Sequence, residues 1–497
     1  MGDLLRDPLQ VPNLWRDLAP QELRVLASKD EIPNRLGVAV YHSRIRSRSA
    51  RFTYVVQRPE EAAVIEQVRD YLKSTTVLQV DRDICQNPAN IFRVRYAVTR
   101  PYARLAYMMS RNLSAPRDSR DPDILVVQVP EWPDLGIYVH PAPDGRVYTY
   151  VLGSDYYGEA KMGSLRAAMH IMRERRGGLG LHAASKVYRL ATAAGMAERG
   201  ALIFGLSGTG KTTISVNGHG LEPPEGITLL QDDIVMLTPS AYGYGTEEAF
   251  YVKTDSITEQ PGLLEATKVP TAVLENTWVE EDGSIDFTNW TLTSNGRAIV
   301  PRWAIPHTGG DLDLPKVDLV FFNTRRYDLP PVGRLASPAQ AAAFLMLGES
   351  TITSADDPNR VGESMRVVAF DPFILGDFHK QGNFFYQLLK ANPDIRVYLL
   401  NTGKMGGMDD GVKITPEVTM RTVEAVVRGQ VSWQYDPILG YDTATDIPGV
   451  DLNQYDPYRI YGKDRFAALM GALRRERQAW LDQFPELHAD IRNALKE

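Results

Sequence analysis

Between positions 205 and 213 the chain reads Gly205-Leu206-Ser207-Gly208-Thr209-Gly210-Lys211-Thr212-Thr213, which satisfies the spacing G-x-x-x-x-G-K-[ST]. Glycines so placed let consecutive backbone N–H groups close around phosphate oxygens, and the lysine reaches the β- and γ-phosphates. Lys211 takes that position here, and Thr212 sets a hydroxyl where a Mg²⁺ bridging the phosphates needs one. The motif requires a strand before it and a helix after it. Ala201-Leu202-Ile203-Phe204 supplies the strand, and Thr213-Ile214-Ser215-Val216 carries a helix whose positive dipole end points at the same anion. The stretch predicts a nucleotide-binding P-loop, set against the bland alternative of a glycine-rich turn.

Further residues suit the same chemistry. Ile227-Thr228-Leu229-Leu230-Gln231 runs into Asp232-Asp233 and then Ile234-Val235-Met236-Leu237. Adjacent carboxylates in an apolar run are costly to bury without a cation, and a strand ending in acids suits the metal of a phosphoryl-transfer site. The alternative is a solvent-exposed turn. His182, within Leu179-Gly180-Leu181-His182-Ala183-Ala184-Ser185, is either a satisfied core histidine or a ligand just upstream of the loop strand. The run Arg44-Ile45-Arg46-Ser47-Arg48-Ser49-Ala50-Arg51 is equally a solvated basic turn or an anion-binding loop. Arg297 sits in the polar loop Asn295-Gly296-Arg297 ahead of Pro301, which alone says little.

Elements must hold these residues in place. Residues 21–29, 60–74 and 101–112 have helical character, and Pro101 is tolerated at a helix start. Residues 37–41, 52–56, 91–98, 124–129 and 136–140 read as strands, and a helix precedes the break at Arg176-Gly177-Gly178. A mixed α/β domain over 1–176 and a second domain over 177–497 follow. In the second, 317–323 and 397–400 read as strands, 401–411 as a mobile lid or a surface loop, and 463–496 as an amphipathic helix interrupted at Pro485. Nucleic-acid and membrane-surface binders need a concentrated basic face, and the net charge of -7 argues against both. The sole cysteine, Cys85, excludes an intramolecular disulfide framework and reads as a small packed side chain. No secretory h-region is visible in residues 1–20 and no stretch is long enough to span a bilayer, so the expected location is the cytoplasm.

Taken together, Phe204 through Thr213, Tyr157-Gly158-Glu159-Ala160-Lys161, Leu274-Glu275-Asn276, Leu329-Pro330-Pro331-Val332-Gly333-Arg334-Leu335 and Leu400-Asn401-Thr402-Gly403 resemble the ATP-dependent phosphoenolpyruvate carboxykinase family. The resemblance covers nearly the whole chain, with weaker support from 87–112. It implies a two-domain α/β fold with a P-loop mononucleotide-binding C-terminal domain. The implied reaction decarboxylates oxaloacetate to an enolate and phosphorylates it from ATP with two divalent cations, Mg²⁺ and Mn²⁺. Carried over position by position, Gly205, Leu206, Ser207, Gly208, Thr209, Gly210, Lys211, Thr212 and Thr213 hold the nucleotide, with Thr212 on Mg²⁺. His182 and Asp233 ligate Mn²⁺, to which imidazole and carboxylate are suited. Arg297 bridges substrate and γ-phosphate, and Arg48 and Tyr156 grip the substrate. Lys413 (in place of the family's arginine), Ile414 and Thr419 fall where adenine and ribose are held, and Glu259 matches an acidic residue near the nucleotide. Lys211, Arg297, Lys161 and Asp232 are the candidate catalytic groups.

Two positions depart from the pattern. The family has two consecutive lysines after Gly-Glu-x, and here the second is Met162, whose uncharged thioether is a poor ligand for a hard cation. The substrate-side segment at 355–364 also finds no match. A kinase with another small-molecule or protein acceptor, and a nucleotide-binding regulator without turnover, are therefore the rival readings.

Overall fold

A computed structural model describes residues 11–206, 208–352 and 360–496. Ser207, expected among the phosphate contacts, and residues 355–359 of the unmatched segment lie outside them. The chain divides into two compact units, one taking it as far as Arg176 and again over Tyr244–Leu312, the other Gly177–Gly243 and the chain from Asp313 onward. One division between the units lies after Arg176, ahead of the Gly177-Gly178 pair. The second domain is not continuous, however, because Tyr244–Leu312 returns to the first unit. Strand pairing accounts for the return: Val273–Glu275 lies parallel to Ala39–Tyr41 and antiparallel to Arg297–Pro301.

In the first unit a seven-stranded sheet runs in the order Leu14–Trp15, Val77–Ile84, Phe92–Thr99, Ile124–Val129, Val147–Leu152, Gly136–Pro141, Thr53–Val55. Its centre, Ile124–Val129, is buried at every position and pairs in parallel on both sides, in keeping with a sequence that is apolar except at Gln128. The helix Pro59–Lys73 begins with proline in its first turn, and Glu61 caps it by accepting from the N–H groups of Gln57 (2.8 Å) and Arg58 (3.0 Å). A second sheet is ordered Ala249–Lys253, Arg297–Pro301, Val273–Glu275, Ala39–Tyr41. The helices Ala103–Asn112 and Tyr157–Arg175 are buried over most of their length.

The second unit is built on a sheet with the order Ile234–Leu237, Leu179–Thr192, Gly195–Gly205, Leu319–Thr324, Arg396–Asn401, Val332–Arg334, Tyr441–Asp446, Ser432–Asp436. The strands Gly195–Gly205, Leu319–Thr324 and Arg396–Asn401 are mutually parallel neighbours, so the loops after Gly205, Thr324 and Asn401 leave the same edge side by side. In open α/β sheets that edge is where ligands bind. One face is covered by the helices Pro338–Leu347, His379–Ala391 and Lys463–Leu481 through a shared apolar core. Pro338–Leu347 is apolar on all sides and wholly buried from Gln340 on; Ser337 caps its start by accepting from the Gln340 N–H at 3.1 Å, and Gly348 ends it with φ +47°. The 401–411 run is a short hairpin, Lys404–Met405 against Val412–Lys413. The C-terminal helix stops at Leu481, four residues before Pro485, and Ala489–Asn493 follows as a separate turn of helix.

Candidate active site

The glycine-rich stretch leaves the Gly195–Gly205 strand and enters the helix Lys211–Val216, as the motif requires. Gly208 and Gly210 have φ of +76° and +84°, conformations open to glycine and strained for other residues, so the motif's glycines here serve the backbone path. Thr209 closes the turn from within: it is buried, and its hydroxyl donates to the Leu206 carbonyl at 2.8 Å. From the end of Arg396–Asn401, the next parallel strand but one, Thr402 donates to the Thr209 carbonyl (3.0 Å) and tethers the loop to the sheet edge.

Lys211 turns its ammonium to His182 Nε2 at 3.0 Å and to Asp233 Oδ1 at 3.7 Å, while His182 Nε2 and Asp233 Oδ1 lie 3.1 Å apart. His182 and Asp233 come from facing positions, since Ile234 pairs with His182 across the sheet. The imidazole is oriented from behind, with Nδ1 2.7 Å from the Phe370 carbonyl. A carbonyl only accepts, so Nδ1 carries the proton and the Nε2 lone pair faces the cation. Ala369 and Phe370 both have φ +55°, an uncommon backbone for such residues, and it aims that carbonyl at the ring. The donor set fits a divalent cation: an imidazole lone pair and a carboxylate oxygen converge on a positive charge. Among the described residues no three His, Cys, Asp or Glu side chains gather for a metal, so a bound ion would draw its other ligands from elsewhere. Asp232 is buried at the same turn, and Thr212 is half-exposed one residue after Lys211.

Two features were not legible in the motif. Arg325, the first residue after Leu319–Thr324, places a guanidinium nitrogen 3.7 Å from where a Cβ on Gly208 would stand. The Arg325-Arg326 pair directly after an apolar strand was the available signal. Beneath the loop, Asn323 is fully buried with neither amide atom hydrogen-bonded among the described residues, and the Thr324 hydroxyl is likewise without a partner. Buried polar groups of this kind are satisfied by an occupant or by water.

The first unit assembles a different set. Tyr156 is buried, and its phenol oxygen accepts from Arg297 Nε (3.2 Å) and Asn295 Nδ2 (3.2 Å); Asn295 Oδ1 accepts from Arg297 Nη2 at 2.9 Å. The Arg297 guanidinium lies 5.4 Å from the Tyr251 ring centre. The arginines of the 44–51 run have different partners. Arg44 donates to the carbonyls of Pro130 and Gly153, and Arg46 to that of Leu292, so these two are structural. Arg48 is half-buried and its charge acts on Glu159, which accepts from the Ser49 N–H. Lys161 is buried in an ion pair with Glu247 at 3.2 Å and lies over the Tyr251 ring; its neighbour Met162 is buried too.

Behind Tyr156, one guanidinium serves two acids. Arg104 is 3.0 Å from Asp155 and 3.5 Å from Glu275, which also accepts from the Tyr157 N–H (3.0 Å) and the Tyr251 hydroxyl (3.1 Å). Burial pushes the Glu275 carboxyl up to about 7, outweighing these partners. Because the folded value lies above the ordinary 4.5, this group's stabilisation is complete below pH 4.5 and is lost as pH rises toward 7. Glu275→Gln is expected to remove that decline, which urea unfolding across pH 4.5–7 would measure.

The remaining expected nucleotide contacts are dispersed. Glu259 belongs to the first unit, exposed at the end of the turn Ile257–Glu259. Lys413 is exposed on the hairpin; Ile414 is buried against Met405 and Tyr455, and the Thr419 hydroxyl donates to the Thr415 carbonyl at 3.1 Å. Cys85 is fully buried, as a packed side chain. No helix among the described residues is long and apolar enough to cross a membrane.

A lysine, an imidazole and a carboxylate thus meet beside a glycine-rich loop in a mixed α/β unit. Sequence comparison makes this specific. The family model described as phosphoenolpyruvate carboxykinase matches residues 51–453. The ATP-dependent phosphoenolpyruvate carboxykinase of Aeropyrum pernix is 38% identical over 452 residues, 90% of either chain. That of Afipia carboxidovorans is 26% identical over 81% of this chain and 76% of its own, and one from Salinibacter ruber is 29% identical over 63% and 57%. The chain belongs to the ATP-dependent phosphoenolpyruvate carboxykinase family.

Proposed function

We propose that this chain converts oxaloacetate and ATP to phosphoenolpyruvate, ADP and CO2, with the second unit as a P-loop nucleotide- and metal-binding domain and the first as the substrate side. The observation that carries the reading is the convergence of Lys211, His182 and Asp233 beside the glycine-rich loop. The backbone from Gly205 to Thr213, with Lys211, holds the triphosphate. Arg325 adds a cation beside Gly208, and phosphoryl transfer leaves the protein mainly positioning and charge neutralisation to supply. His182 and Asp233 are the residues that would hold a Mn²⁺-type ion, and Thr212 a Mg²⁺; such ions neutralise charge on phosphates and enolate oxygen when bound.

On the substrate side, Arg297 is the group that meets charge developing on transfer, and Tyr156 fixes its direction. Arg48 takes a substrate carboxylate. Lys161, ion-paired with Glu247, orders the buried helix that presents Tyr156. With Met162 uncharged, the metal shell rests on His182 and Asp233. The substrate partners are small molecules, and a single buried cysteine suits a reducing cytoplasm.

The test is phosphoenolpyruvate formation from oxaloacetate and ATP with Mg²⁺ and Mn²⁺, in a coupled assay. Turnover supports the reading; absence of product from a protein that still binds ATP would sink it in favour of another acceptor. Tyr156→Phe is expected to lower kcat/KM for oxaloacetate roughly tenfold, the effect of losing one hydrogen bond to a charged group, while KM for ATP stays unchanged.

A further inference from the structure

The first unit contains a cavity of about 1190 Å³ whose lining includes none of Arg48, Tyr156, Lys161 or Arg297. Two of its walls carry guanidiniums, Arg82 and Arg111, that make no ion pair among the described residues. Arg82, on the strand Val77–Ile84, is 9% exposed; its Nη1 donates to the Asp81 carbonyl at 2.8 Å, and its Nε is buried with no hydrogen-bond partner among the described residues. Arg111, near the end of the helix Ala103–Asn112, has a buried Nε in the same condition. The nearby acids are engaged elsewhere: the Asp81 carboxylate takes both Nε (3.1 Å) and Nη2 (2.9 Å) of Arg95, and Asp83 takes Arg93 Nε at 2.6 Å. Glu248, also in the lining, accepts from Gln86 and Ser114.

Burial above all pushes Arg82 down to about 10; the charge of Asp81 opposes this, and the like charge of Arg111 adds to it. A guanidinium keeps its proton at neutral pH even so, and two of them facing one water-accessible space favour an anion between them. Ser110 and Gln79 add a hydroxyl and an amide to the same lining, which also includes Trp303, 70% exposed.

We propose that this cavity is a second binding site, separate from the carboxykinase centre, for a small organic anion whose phosphate or carboxylate groups are gripped by Arg82 and Arg111. The site requires no metal and no residue of the nucleotide loop.

Thermal unfolding and calorimetry decide it, using the full chain with saturating MgADP to fill the nucleotide site. Inorganic phosphate, citrate and adenosine monophosphate are compared with chloride at equal ionic strength, which separates bare phosphate, carboxylate and ring-bearing phosphate ligands. At least one is expected to raise Tm and bind at one added site, with affinity reduced tenfold or more by Arg82→Met and by Arg111→Met. Both variants are expected to keep phosphoenolpyruvate formation, and Arg82→Met to keep or raise Tm in chloride. The proposal is overturned if none of the anions binds beyond chloride or if binding is the same in both variants. A drop in Tm of Arg82→Met without anion would also overturn it, by making Arg82 a structural cation. Arg111→Met, at a half-buried position, gives the binding test a second variant that does not depend on Arg82.

Discussion

Lys211→Ala is expected to lower kcat for phosphoenolpyruvate formation by about 10³-fold or more, the scale on which removing one preorganised charged donor acts in a transition state that develops charge. The geometry gives the substitution a second consequence that separates it from a simple loss of folding. The ammonium stands 3.0 Å from His182 Nε2 and 3.7 Å from Asp233 Oδ1, where it donates to the imidazole lone pair and balances the carboxylate charge. Without it, an imidazole lone pair and a carboxylate oxygen 3.1 Å apart face one another with no cation between them. A divalent ion relieves that arrangement. Mn²⁺ binding without nucleotide, followed by electron paramagnetic resonance, is therefore expected to persist or tighten in Lys211→Ala while turnover is lost. His182→Ala and Asp233→Ala are expected to lose both. Weakened Mn²⁺ binding in Lys211→Ala, with Tm unchanged, would show that the lysine does not share the donors with the metal.

What the sequence made legible and what it hid divide along a physical line. The loop at 205–213, with a strand before and a helix after, is a local pattern, and the helix at Lys211–Val216 follows it directly. His182 and Asp233 were readable as candidates because their residue types suit the chemistry. Their meeting was not readable, because it depends on the register that sets Ile234 opposite His182. Arg325 escaped for the same reason: it is a neighbour of Gly208 only once two parallel strands lie side by side. The buried Glu275 network draws on Arg104, Tyr157 and Tyr251, from three distant stretches, and no spacing announces it. The return of Tyr244–Leu312 to the first unit left no mark in composition, since it is decided by pairing with Ala39–Tyr41. Ile414 and Thr419, carried over by resemblance, have side chains committed to packing and to an i−4 carbonyl, so any nucleotide contact there falls to backbone or to exposed Lys413.

The largest stability effect is expected at Glu349. Its carboxylate, 3% exposed, receives Arg477 at 2.6 Å, Arg366 at 3.0 Å and Arg326 at 3.6 Å. Arg477 comes from the helix Lys463–Leu481, Arg366 from the strand paired with Glu349–Thr351, and Arg326 from the turn after Leu319–Thr324, so one anion joins three elements of the second unit. Arg326 retains Asp328 at 2.7 Å and Arg366 retains Glu476 at 3.2 Å, but among the described residues Arg477 has no other carboxylate within ion-pair distance. Removing the negative partner leaves Arg477 buried and uncompensated, a change that costs about 3–5 kcal/mol in comparable cases. Glu349→Gln should therefore unfold at markedly lower urea than the parent at pH 7. Burial pushes the Glu349 carboxyl up, but the charges of Arg477, Arg326 and Arg366 outweigh it and hold the group well below its ordinary 4.5. A depressed folded value means that the stabilisation is fully present above pH 4.5 and is lost as pH falls below it. The gap between parent and Glu349→Gln is thus expected to be constant from pH 5 to 7 and to narrow progressively in more acidic solution. A gap that stays constant into acid would assign the loss to packing of the amide rather than to charge. If no gap appears at pH 7, the three arginines are satisfied without the carboxylate, and Glu349 does not hold the elements together.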